Sequence, residues 1–165
     1  MIRTLFIAFT LLALTACKNK ESITEEPPVV DIPVEVEEKE PLPLERIIYY
    51  DRSACFGTCP SFTFEAYNDG TCTYHGRNFV DLIGTYKGKW DLEKTGAIYQ
   101  LAMDMGYFEL DSIYDNKMVT DLPATTTEIF QKRVKNRYKG PDLEKLYDAL
   151  DELVAGVDWG GSNNE

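Results

Sequence analysis

Phe62-Thr63-Phe64-Glu65-Ala66-Tyr67 constrains this chain most, because apolar and polar residues alternate through it and Asn68-Asp69-Gly70 follows at once. Alternation with a period of two puts every second side chain on one face of an extended strand. Asp-Gly between two such runs is a strong hairpin signal, since both residues tolerate the positive φ of a tight turn. Thr71 to His75 then returns as the partner strand.

The neighbouring sequence supplies what that hairpin must pack with. Arg46 to Arg52 reads as a strand before it, and Leu82 to Trp90 as one after it. Asp91 can cap a helix in which Ile98, Leu101, Ala102 and Met105 recur at helical spacing, with Gly106 as its stop. A polar stretch from Asp111 to Pro123 precedes two more strands, Thr125 to Phe130 and Val134 to Tyr138, with the turn between them left open. Pro141 opens a last helix, whose apolar stripe is Leu143, Leu146, Tyr147, Leu150, Leu153 and Val154, and Gly156 ends it. The expected fold is one α+β domain over residues 46–158: an antiparallel sheet of five or six strands with two helices packed on one face. With 44% hydrophobic and 12% aromatic residues in 165, there is enough apolar surface for such a core.

Ahead of the domain the chain changes character. Arg3 followed by the apolar run Leu5 to Leu14 is the pattern of a secretory signal over residues 1–16. Leu14-Thr15-Ala16-Cys17 resembles the bacterial lipobox, which implies that Cys17 is lipidated and becomes the first residue of the mature chain. Several acyl chains, each stabilising by about 0.8 kcal/mol per buried methylene, make a lasting anchor where one would be marginal. Lys18 stands where inner-membrane lipoproteins often carry Asp, and that resemblance favours the outer membrane. Residues 17–45 then form a tether with five prolines and nine acidic residues and no aromatic, which cannot build a core. A spacer fits this composition better than a docking site for a basic partner. Residues 159–165 are expected as a C-terminal tail.

Net charge is −11, of which residues 46–165 carry −6 from thirteen basic and nineteen acidic side chains. Such a chain is not built to neutralise phosphates, so nucleic acid is excluded as a general partner. A single His rules out multi-histidine metal centres, and the sequence implies no metal or other cofactor. Asp111, Asp115 and Asp121 share a polar loop without the spacing of a calcium-binding EF-hand. His75 has no Ser or Cys partner of hydrolase type nearby and is expected at the hairpin's end, so no catalytic residue is assigned.

Cysteine chemistry is more informative. Cys55 and Cys59 flank Phe56-Gly57-Thr58 in a chain expected to be exported, where a disulfide across a tight loop is the simplest outcome. A redox centre is the alternative, but the spacing is C-x₃-C, and Pro60 leads toward a strand with no helix start to lower a thiol pKa. Cys72 is expected to pack as a small apolar side chain. Lys132, Arg133, Lys135, Arg137 and Lys139 form the one basic run, and a strand there puts Arg133, Lys135, Arg137 and Lys139 on one face. That face is either simply solvated or a site for anionic groups such as lipid heads or acidic polysaccharide.

The order of the Ile47 to Arg52 strand, Cys55-Phe56-Gly57-Thr58-Cys59-Pro60, Asp69-Gly70, Tyr74-His75-Gly76, Gly84-Thr85-Tyr86, Tyr114, Asp121, Pro123 and Gly140-Pro141 resembles a bacterial domain of unknown function, DUF6438. The resemblance covers about residues 46–155 and implies a secreted protein or lipoprotein with no assigned reaction. The expectation is therefore a membrane-anchored envelope lipoprotein with a non-enzymatic domain that binds a protein or glycan partner. Two alternatives are an exported thiol-redox protein using Cys55 and Cys59, and an envelope inhibitor of a secreted hydrolase.

Overall fold

The computed structural model describes residues 42–160; the expected signal peptide, Cys17, nearly all of the tether and the last five residues of the tail lie outside the described residues. The elements are β1 (Arg46–Arg52), β2 (Ser61–Tyr67), β3 (Thr71–Asn78), β4 (Gly84–Lys89), α1 (Lys94–Asp104), a 3-10 turn (Tyr107–Glu109), β5 (Ile113–Tyr114), β6 (Thr125–Ile129), β7 (Lys132–Asn136) and α2 (Glu144–Ala155). Seven strands form one sheet in the order β4-β3-β2-β1-β6-β7-β5.

The class is α+β as expected, but the sheet is larger and mixed. All neighbours are antiparallel except β5, which runs parallel to β7 through Ile113 and Tyr114. The sequence hid β5 because it has two residues and Ile113 is 69% exposed, so it has no periodicity to read.

Alternation decides which face is buried. Ile48 and Tyr50 of β1 sit beside Phe62, Phe64 and Ala66 of β2, and Cys72 and Tyr74 of β3 continue the same surface. Ile98 and Ala102 of α1 join them, with Leu146, Tyr147, Leu150 and Leu153 of α2, in one buried cluster. Tyr107 is wholly buried, and its hydroxyl meets the Thr127 carbonyl oxygen at 3.0 Å, so its polar atom is satisfied. The other face is polar. Arg46 bridges Glu65 at 2.6 Å and Glu128 at 3.1 Å, while Arg77 bonds Asp51 at 2.8 Å.

Several boundaries differ from the sequence reading for local reasons. Asp91 does not cap α1; its carboxylate accepts from the Glu93 amide in the turn ahead of the helix. α2 starts three residues after Pro141, with Asp142 accepting from the Glu144 amide. His75 lies within β3, opposite Thr85, because that strand runs on to Asn78. Trp159, the first residue of the expected tail, packs against Phe64 and Tyr74.

Two close approaches shape the β3–β4 edge of the sheet. A Cβ on Gly76 would stand 1.7 Å from the Leu82 carbonyl oxygen, and one on Gly88 2.7 Å from Val157. The missing side chains let the 79–83 loop and the chain after α2 lie directly on β3 and β4.

Candidate functional site at the loop end of the sheet

The chain enters the sheet at Arg46, and β1 carries it to Arg52 at the opposite end. Strand directions place three strand-to-strand connections there: residues 53–60, 79–83 and 115–124. Cys55 and Cys59 close the first of them with a disulfide, Cα to Cα 5.7 Å. Its backbone is fixed by the Ser53 amide on the Ala124 carbonyl at 2.9 Å and the Phe56 amide on the Asp121 carbonyl at 3.2 Å. The Ala124 amide in turn donates to the Ser53 hydroxyl at 2.8 Å. Phe56 is nonetheless 95% exposed. Phe79, Ile83, Met118 and Leu122 are exposed large apolar residues in the other two connections.

Beside this loop is a cleft of about 560 Å³ walled by Arg52, Pro60, Phe62, Tyr74, Phe79, Asp81, Leu82, Asp151 and Trp159 among others. A smaller cavity of about 290 Å³ adjoins it, lined by Cys59, Pro123, Glu144 and Tyr147, and Arg52 lines both. Arg52 follows Ile48 and Tyr50 in the core-facing register, so its guanidinium lies where the alternation calls for an apolar side chain. It is held there by the Tyr50 hydroxyl and by Asp151 of α2 at 2.8 Å, and the Tyr50 hydroxyl donates to the same carboxylate at 2.9 Å. Burial pushes the Asp151 carboxyl above the usual carboxylate range, despite the opposing pull of Arg52 and of the Tyr50 hydrogen bond. Burial likewise raises the Tyr50 hydroxyl, which keeps its proton as a donor.

The expected site residues fall elsewhere or take other roles. Cys72 is 1% exposed, and burial pushes its thiol up to about 11. It borders a second groove, of about 760 Å³, at the entry end beside Leu44, Tyr67, Lys87 and Lys89. In the basic run, β7 begins at Lys132 and ends at Asn136, so Arg133 and Lys135 are in the strand while Arg137 and Lys139 lie beyond it. The four therefore do not form a single strand face; Lys139 has a φ of 55° and its ammonium rests over the Tyr138 ring. Arg133 bonds Glu128 at 3.2 Å and stacks on Tyr49. Lys135 reaches Asp115 at 2.6 Å, with Arg137 on the same carboxylate. The Lys135 hydrogen bond holds Asp115 below the usual carboxylate range. Asp115 is thus committed to β7, and Asp121 contributes its carbonyl to the disulfide loop. Among the described residues no group of three His, Cys, Asp or Glu is placed to hold a metal ion, and no helix is long and apolar enough to cross a membrane.

Sequence reasoning passed over Arg52, Asp151, Phe79 and Trp159. A signal for the first two was present, since Arg52 interrupts the core register of β1 and Asp151 lies one helical turn from Tyr147 in the α2 stripe. Trp159 and Phe79 carried none, because their positions depend on Gly76 and Gly88.

An α+β sheet domain with a disulfide-closed, aromatic-tipped loop beside a mixed polar and aromatic cleft is the class these features define. The model of the family described as Domain of unknown function (DUF6438) matches residues 46–154, and the chain belongs to that family. No curated protein and no solved structure matches this chain.

Proposed function

We propose that this chain is a bacterial envelope lipoprotein, anchored through Cys17 to a membrane, with the outer membrane favoured, and that its domain is a non-enzymatic module binding a protein or glycan partner. One observation carries the binding half: Phe56 is 95% exposed on a backbone that a disulfide and two interloop hydrogen bonds hold in place. A rigid loop has already lost the freedom that binding would otherwise remove, so its exposed ring contributes more of its burial to affinity. Exposed apolar residues grouped on neighbouring loops are the usual mark of an interaction surface.

The same loop supports a second reading, an inhibitor whose Phe56 enters the active-site cleft of a secreted hydrolase. For the thiol-redox alternative, Cys59 is followed by Pro60 and then by β2, so no helix start adjoins either sulfur. A reduction potential below about −300 mV is expected for a structural bridge, and one between about −120 and −200 mV would favour redox chemistry.

The anchor half rests on the signal run and the Leu14 to Cys17 box. Native protein should partition into a detergent phase and Cys17→Ser should not; equal partitioning contradicts the anchor. Phe56→Ala should fold normally and lose partner binding, and unchanged binding contradicts the assignment of the loop.

A further inference from the structure

We infer that the cleft beside the disulfide loop takes a basic side chain, lysine or arginine, presented by a partner protein. The inference rests on the binding role proposed above and names the chemistry of one contact within it.

The charges lining the cleft decide the sign of the ligand. Arg52 and Asp151 are bonded to each other and both to Tyr50, which leaves that unit neutral. Asp81 also lines the cleft, is exposed, and has no hydrogen bond or ion pair among the described residues. Glu144 adds a further carboxylate in the adjoining cavity, where Arg52 is again the one cation in the lining. An anion in the cleft faces two carboxylates, Asp81 and Asp151, against the single guanidinium of Arg52. A cation gains from both carboxylates, and it also relieves the desolvated Asp151.

The walls select a cation on an apolar stem. Tyr74 and Trp159 lie 5.4 Å apart in the lining, with Phe79 nearby, and an ammonium or guanidinium over such faces is attracted by the ring quadrupole. Val80, Leu82 and Val154 offer the aliphatic surface on which a lysine or arginine stem packs. A protein is favoured over a free amine because Phe56 and Ile83, on the loops that contribute Pro60 and Leu82 to the cleft, are exposed apolar side chains that a larger partner can cover. A small cation would leave both in water.

The test uses the processed full chain in detergent micelles, with Trp159 emission as the readout, since the other tryptophan, Trp90, is buried. The probes are acetyl-Leu-Lys-Leu-amide, its Nε-acetyl-lysine form and its Glu form. The lysine peptide is expected to shift the emission and bind about tenfold more tightly than either counterpart. Asp81→Asn should weaken it about fivefold, and added salt should weaken it in the native protein. Equal binding of the acetylated or Glu peptide, no response to the lysine peptide up to about 10 mM, or indifference to Asp81→Asn overturns the inference. Cross-linking of the native partner then separates the two proposals. If Phe56→Ala abolishes the cross-link and Asp81→Asn leaves it intact, the basic-side-chain contact fails and the binding role stands; if neither variant affects it, both fail.

Discussion

The two ends of the sheet are built from the same strands yet solve opposite problems. At the entry end the connections are tight: Gly70 turns β2 into β3 with a φ of 82°, and Phe130 and Gln131 turn β6 into β7 with φ of 46° and 70°. Consecutive positive φ angles give the turn whose twist matches antiparallel strands. The Trp90 ring nitrogen donates to the Tyr67 carbonyl at 3.1 Å and its amide to Gly70 at 3.0 Å, so the hairpin's polar groups are consumed locally. At the loop end the connections are longer; backbone bonds join 53–60 to 115–124 and a disulfide closes the first of these, while large apolar side chains stay in water. Order obtained without burying the side chains that are ordered suits a surface kept for a partner. At the entry end Leu44, Leu92 and Phe130 are exposed as well, but each less than Phe56, and the Asn68 to Gly70 turn closes through its own bonds.

Substitutions can break or sharpen this contrast. The largest effect should come from Leu146→Ala, fully buried on α2, which should cost about 2–5 kcal/mol in urea unfolding and lower the protection of both ends together. Loss of protection at one end alone would show that the two are not joined by one core. Gly76→Ala comes next. Its Cβ would collide with the Leu82 backbone, and relieving that overpacking should cost about 1–3 kcal/mol and displace the 79–83 loop, which amide chemical shifts would localise to the loop end.

Removing the bridge with Cys55→Ser and Cys59→Ser should cost about 2 kcal/mol or less, because the closed loop is short. Hydrogen exchange should quicken at Ser53 and Phe56 and stay unchanged at Gly70 and Trp90. The smallest effect concerns pH. Asp115 is held below the ordinary carboxylate value, so its ion pair with Lys135 stabilises the fold above that value and is lost as pH falls through the lower one. Asp115→Asn should therefore lower stability slightly at neutral pH, where the ion pair is present, and converge with the native protein as pH falls below about 4, which flattens the acid limb of its stability curve.

Much of the entry end was legible in the sequence, and much of the loop end was not. The β2 to β3 hairpin follows from strict alternation and Asp69-Gly70, and the α2 stripe follows from its spacing, because both signals are local. The bridge between Cys55 and Cys59 was equally local, at a separation of four residues. By contrast, Arg52 and Asp151 are 99 residues apart, and nothing in either neighbourhood names the other. Trp159 was assigned to a tail because no periodicity surrounds it; the absent side chain of Gly88 lets it reach Phe64 and Tyr74. The basic run misled in a different way. Alternating Lys and Arg continue past Asn136, but the strand stops there, and the expected common face divides among Glu128, Asp115 and the Tyr138 ring.

The central claim is that the loop end meets the partner, and photo-cross-linking in intact envelopes tests it most directly. A photoactivatable residue replacing Phe56 should give a discrete adduct, and one replacing Asp69, in the turn at the entry end, should give none. An adduct from position 69 with none from position 56 would contradict the account.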